Sequence, residues 1–245
     1  MSPTTGRVRN RRGEGDLLRN EIVSAAERLV AQAGGDETLT LRAIAREAGI
    51  SAPSIYAHFD DLAAVRDALL DAGFDRLSQS IDDSMRTLGA TTDPVRRLLA
   101  GCRAYVDFAM REPAAYRLLF NRGRPSGEVP PPDQVPPAPL PDQVPPAPLP
   151  AQAPPPSDPS SPGLDQIPPT ERHHLDAFRM LIDGVSNCVT AGRSTSTDPV
   201  ADATALWTAL HGAVSLRQHL PKFPWPPLHD AADRFAVELA HLTPA

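Results

Sequence analysis

Residues 39–59 read LTLRAIAREAGISAPSIYAHF, and the side chains of this stretch suit a duplex better than they suit catalysis. Ser51, Ser54, Tyr56 and His58 carry groups that can donate to phosphate oxygens, contacts that set register without reading sequence. Ala52, Pro53 and Ala57 offer apolar surface to thymine methyls, and Arg42 has the two-pronged donor geometry that matches a guanine edge. Residues 52–58 contain no lysine or arginine, so a helix built from them supplies shape and hydrogen bonds but little charge. Taken on spacing alone, the same stretch also reads as an αα-corner in a helical bundle.

The elements needed to position these residues are visible in the periodicity. Leu41, Ile44, Ala45 and Ala48 share one helical face, and Thr40 stands where a side chain caps the helix start. Gly49, Ile50 and Ser51 form a short break, with glycine able to take the positive φ of a tight turn. Pro53 falls in the first turn of a second short helix ending near Phe59, a place where proline is tolerated. Ile44 and Ala45 are spaced to pack on Ile55. A helix, a glycine-containing turn and a second helix are the parts of a helix-turn-helix.

A preceding helix is predicted over 16–33, stopped by Gly34 and Gly35. Further helices are predicted over 61–88, from 93 with a stripe reaching Ala109, over 114–120, from 170 with a stripe reaching Val189, and over 198–220 and 228–242, making about nine, three of them in the first sixty residues. No stretch alternates with period two, so the expected fold class is all-α. The organisation follows: an arm over 1–15, a helix-turn-helix domain over 16–60, and a helical effector-binding and dimerisation bundle over 61–245. A Pro-rich insertion at 122–169, expected to be disordered, interrupts the bundle. Within it the nine residues PDQVPPAPL at 132–140 repeat unchanged at 141–149. This tract has too little apolar surface to offset ordering entropy, and polyproline II with long-range disorder is the expected state. It reads as a tolerated insertion.

Composition excludes several function classes. There is no GxSxG, P-loop, HExxH or GxGxxG following a strand, so no enzyme is expected. His173 and His174 are adjacent and diverge on a helix, and His211, His219, His229 and His241 lack ligand partners at metal spacing, so no metal and no cofactor are expected. Cys102 and Cys188, the only cysteines, read as small buried core residues, with a redox pair as the lesser alternative. No run approaches a membrane span and the first fifteen residues lack an apolar signal core, so a cytoplasmic protein with no membrane partner is expected. The net charge of −6 weighs weakly against nucleic-acid binding, but net charge does not say where a duplex sits. Arg7, Arg9, Arg11 and Arg12 make a cationic arm, readable either as a solubilising tail or as a phosphate-binding one.

Residues 21–70 closely resemble the N-terminal domain of TetR-family transcription regulators. The resemblance rests on Ala25-Ala26 in the first helix, Ile44-Ala45 in the second, Ala48-Gly49-Ile50-Ser51 at the turn, and Ser54, Ile55, Tyr56, His58 and Phe59 at the close. It implies an all-helical C-terminal domain that binds a small ligand and dimerises through its last two long helices, where Gly212 and Ala213 would permit close approach. It places Thr40, Arg42, Ser51, Ala52, Ser54, Tyr56 and His58 at family DNA-contact positions. Residues 207–212, WTALHG, are similar to the Trp-His-Gly pattern of one C-terminal subclass, although Trp207 and His211 read equally as core packing. Two departures stand out: Leu62 replaces a lysine common in the family, and Asp60 and Asp61 precede it.

Tyr105, Met110, Tyr116, Phe120, Phe178 and Met180 are the candidate interior aromatics and methionines of the bundle, and some of them are expected to line an effector pocket. The expected function is a ligand-responsive homodimeric repressor whose partners are palindromic double-stranded operator DNA, a small-molecule effector and a second copy of itself. The rival reading is an interaction protein in which the Pro-rich tract docks partners and the helix-turn-helix does not read DNA.

Overall fold

The computed structural model describes residues 14–36, 38–89, 92–120 and 175–243. Among them are nine helices: α1 (Glu14–Ala33), α2 (Leu41–Glu47), α3 (Ala52–Ile55), α4 (Leu62–Arg86), α5 (Pro94–Arg111), α6 (Pro113–Phe120), α7 (Asp176–Thr190), α8 (Pro199–His219) and α9 (Leu228–Leu239). The all-α fold class stands. The only strand-like pairing among the described residues is an isolated antiparallel bridge between Ser194 and Leu242. The arm with Arg7 to Arg12, the histidines 173 and 174, and the Pro-rich tract lie outside the described residues.

The helix starts have simple causes. Asp61, Asp93 and Asp198 accept backbone N–H bonds from Ala64, Val95 and Ala201 at 2.8, 3.1 and 3.1 Å, and Pro94 and Pro199 occupy the first turns that follow. The last helix ends at Leu239, three residues before the expected stop. His241 adopts φ 49°, and the chain turns back so that Thr195 N–H donates to His241 O and Ser194 Oγ to Ala240 O. That exchange of hydrogen bonds with the α7–α8 connection, which leaves no regular pattern in the sequence, ends the helix.

Two apolar cores share one long helix. The first gathers Ile22, Ala25, Ala26, Val30, Leu39, Ile44, Ala45, Ile55 and Phe59 with Val65, Ala68 and Leu69 of α4. The second begins at Leu70 and Phe74 of the same helix and continues through α5, α6, α7, α8 and α9. The first core therefore extends past residue 60, because the opening turns of α4 complete it. The short helix α6 is divided in the same way: Ala114 and Leu118 pack on the first core, while Tyr116 and Leu119 are buried in the second.

Candidate nucleic-acid interface and internal cavity

The α2–turn–α3 unit is held by local geometry. Thr40 Oγ1 accepts from Ala43 N at 3.2 Å, starting α2. At its end Gly49 takes φ 67°, Ile50 N–H reaches Ala45 O at 2.9 Å and Gly49 N–H reaches Arg46 O at 3.2 Å, the pair of bonds that defines a Schellman stop. Helix α3 is shorter than the periodicity suggests. It stops at Ile55, and residues 56–58 continue as a turn in which His58 and Phe59 N–H both donate to Ile55 O. Ile44, Ala45 and Ile55 are all buried, as their spacing requires.

The outward face brings the predicted residues together. Thr40, Arg42, Ser51, Pro53 and Tyr56 are exposed, and Ala52, Ser54 and His58 are half-buried beside them. Arg42 sits in the first turn of α2 and forms no ion pair among the described residues. Ser51 and Ser54 share a 2.7 Å hydroxyl–hydroxyl bond, which orients both side chains before any ligand arrives. Arg19 of α1 stacks its guanidinium 4.7 Å from the Phe59 ring centre, tying the end of the turn to α1.

Asp61, conspicuous in the sequence as a charge of the wrong sign, has a structural task as the N-cap of α4. Asparagine caps as well as aspartate. Asp61→Asn is therefore expected to leave urea stability unchanged and to tighten DNA binding by up to about 1 kcal/mol at low salt, a gain that added salt removes. A titration at two ionic strengths checks this.

Between α4, α5, α6, α7 and α8 lies a small apolar cavity of about 40 Å³. Tyr105, Phe120, Phe178 and Met180 line it. Tyr116 lies behind the wall, with its ring 4.8 Å from that of Phe120. Met110 does not take part: it is 47% exposed, because one step past the buried Ala109 turns it about 100° to the outside of α5. Trp207 also lines the cavity, whereas Gly101, Gly184 and the α4 residues Leu77, Ile81 and Met85 were legible only as core or not at all. Periodicity finds the inward face of a helix but does not say whether that face meets another side chain or a void.

One polar chain runs away from the cavity wall. Tyr105 Oη is 2.9 Å from Tyr116 Oη, which is 2.7 Å from His211 Nδ1, and His211 Nε2 lies 3.3 Å from Ser215 Oγ. Burial lowers the His211 pKa and so favours the neutral ring. The tautomer with its proton on Nε2 then donates to Ser215 and accepts from Tyr116. Burial pushes the Tyr105 phenol up to about 12. It likewise raises Cys102 to about 12 and Cys188 to about 11, which keeps both thiols protonated. On unfolding, His211 regains its ordinary affinity for a proton. Stability should therefore fall as pH drops through about 6.5. Urea midpoints at pH 8 and pH 5.5 test this, with a shallower dependence expected in His211→Asn.

Among the described residues no group of histidine, cysteine, aspartate and glutamate is arranged to hold a metal ion, and no helix is long and apolar enough to cross a membrane.

Comparison with known proteins gives a consistent result. The family model for bacterial regulatory proteins of the tetR family matches residues 22–77, and that for a tetracyclin repressor-like C-terminal domain matches residues 150–242. The chain is 32% identical over 124 residues to the HTH-type transcriptional activator FasR of Mycolicibacterium smegmatis, covering 49% of this chain and 52% of that protein. It thus spans about half the length of this curated relative. Among solved structures, a protein of unknown function from Rhodococcus sp. RHA1 superposes with TM-score 0.61 at 20% identity, over 91% of this chain and 93% of that one. A TetR-family transcription regulator from Marinobacter aquaeolei VT8 superposes with TM-score 0.58 at 14% identity, over 94% and 98%. At these identities the structural likeness establishes the fold.

Proposed function

The chain belongs to the TetR family of bacterial regulatory proteins, and we propose that it is a transcription regulator acting as a homodimer whose grip on operator DNA is set by a ligand in the cavity of its C-terminal body. The observation that carries this reading is the division of α4 and α6 between the two cores. Tyr116 and Phe120 of α6 contact the aromatic cluster at the cavity, while Arg117 of the same helix donates to Gly34 O at 3.1 Å, at the end of α1. A ligand that widens the cavity displaces α6 and, with it, the first core that carries α2 and α3. Operator affinity then changes by the ligand's differential affinity for the two arrangements.

Reading in this account is done by Arg42 on a base edge, by Ala52 and Pro53 on methyl groups, and by Thr40, Ser51, Ser54, Tyr56 and His58 on phosphates. The dimer forms through α8 and α9: Leu216, Val237 and Leu220, just past the end of α8, are 48%, 45% and 52% exposed in the protomer. A Cβ at Gly212 would meet nothing within 4 Å, so this glycine lies on an open face. Ala213, by contrast, is buried inside the protomer and leaves Gly212 alone to allow close approach. Repression by occupying the operator requires no surface beyond these. The Mycolicibacterium smegmatis relative is an activator, which favours activation as the second reading, and a promoter–reporter fusion with and without the protein separates the two signs. The assembly is tested by sedimentation at micromolar concentration. Twice the 26.3 kDa chain mass is expected, with Leu216→Asp plus Leu220→Asp shifting the protein to monomer and a monomeric wild type contradicting the reading.

A further inference from the structure

Arg76 of α4 stands between two carboxylates that belong to different parts of the molecule. Its Nη1 donates to Glu27 on α1, and its Nε lies 3.5 Å from Glu112 Oε2. Helix α1 belongs to the head that carries α2 and α3, since Ile22, Ala25, Ala26 and Val30 share a core with Ile44 and Ile55. Glu112 belongs to the body. Its N–H donates to Phe108 O at 2.8 Å to end α5, and its O accepts from Tyr116 N–H at 2.9 Å to open α6. A groove of about 520 Å³, lined by Glu27, Val30, Arg76, Glu112 and Ala115 among others, lies between α1, α4 and this corner. Side chains that face each other across such a space do not interlock, so close packing does not fix the separation there. The apolar contact that α6 does make with the head, through Ala114 and Leu118, is non-directional.

We propose that Arg76 is a positioning residue for operator recognition: by holding Glu27 and Glu112 in one guanidinium it sets where the head sits on the body, and hence the spacing of half-sites that a dimer accepts. The inference rests on the reading of DNA by two heads above and names a residue on which their spacing depends. A guanidinium is planar and its donors form a rigid fork, so carboxylates at two of its nitrogens are restrained in direction as well as distance. A second tie, from Arg117 to Gly34 O, holds the end of α1 about two turns further on. Two ties restrain the orientation of a helix, whereas one leaves it free to pivot. All three side chains of the Arg76 bridge are partly exposed, and ion pairs of that kind add little to stability. Their effect is on where the head sits, not on whether it folds.

The experiment measures the affinity of full-length wild type and variants for an operator obtained by binding-site selection, and for duplexes with its half-sites one base pair closer or further apart. One base pair moves a half-site by about 3.4 Å. Wild type is expected to prefer the selected spacing. In Arg76→Gln that preference should shrink by roughly two- to thirtyfold, the range for one exposed ion pair lost in each protomer, while the base preference within each half-site stays as it was. Arg76→Lys, which keeps the charge without the fork, should fall between the two. Glu27→Gln serves if Arg76→Gln does not fold. Arg28→Gln breaks the 2.7 Å pair with Glu47 inside the head and should keep the wild-type spacing preference. An unchanged spacing preference in Arg76→Gln or its substitute, or an equal loss of affinity at every spacing, would overturn the proposal. A wild type that binds every spacing alike would overturn the reading by two heads, and the role of Arg76 with it.

Discussion

Ile55→Ala should abolish specific DNA binding while the C-terminal body remains folded. Ile55 is fully buried in α3, in the same core as Ile44, Ala45, Val65 and Leu69. Deleting most of such a side chain removes its transfer free energy and leaves a cavity, an effect of about 2–5 kcal/mol. Helix α3 spans only Ala52–Ile55, too short to persist without that anchor. Ser51, Ser54 and Tyr56 would then lose their common orientation. The second core contains no atom of Ile55, so sedimentation should be unaffected. Urea unfolding followed alongside a mobility-shift assay measures both halves of this expectation. A variant that bound DNA normally would place the reading surface elsewhere than on α3.

The second large effect is expected at Arg42. Loss of a bidentate arginine contact to guanine weakens binding by about 1–3 kcal/mol, roughly ten- to a hundredfold in affinity. Arg42→Ala should therefore relax the preference at one base pair in each half-site and leave the others as they were. Protein stability should hardly change, because Arg42 is exposed and forms no ion pair among the described residues. Removal of residues 1–12, with their four arginines, should instead weaken binding to all sequences alike and flatten the salt dependence. If Arg42→Ala weakened all sequences equally, its contact would be to phosphate and the base reading would fall to Ala52 and Pro53.

Much of this molecule was legible before any coordinates. The helix-turn-helix could be read because its signals are local: a hydroxyl cap at Thr40, a glycine at the only position of the turn with positive φ, and a proline in the first turn of α3. The aspartate–proline starts of α5 and α8 were legible for the same reason. What escaped was non-local. The stripe of Leu98, Cys102, Tyr105 and Ala109 already turned Met110 outward, but nothing in the spacing of Leu77, Ile81 and Met85 separates a cavity wall from a packed core. The Tyr116–His211 bond joins residues 95 positions apart, and neither residue stands in a pattern that points to the other. Asp61 shows the reverse case: its charge was plain, but its use as a cap appeared only once the start of α4 was fixed.

In the proposed dimer the face formed by α2 and α3 reads a specific operator twice, once from each protomer. Binding-site selection from random duplex DNA with the purified full-length protein tests this most directly. The expected product is a single enriched inverted repeat, its half-sites about one helical turn or a multiple apart, that the Arg42→Ala protein enriches with one position relaxed. Recovery of no enriched sequence, or of an unrepeated half-site bound by one protomer, would contradict it.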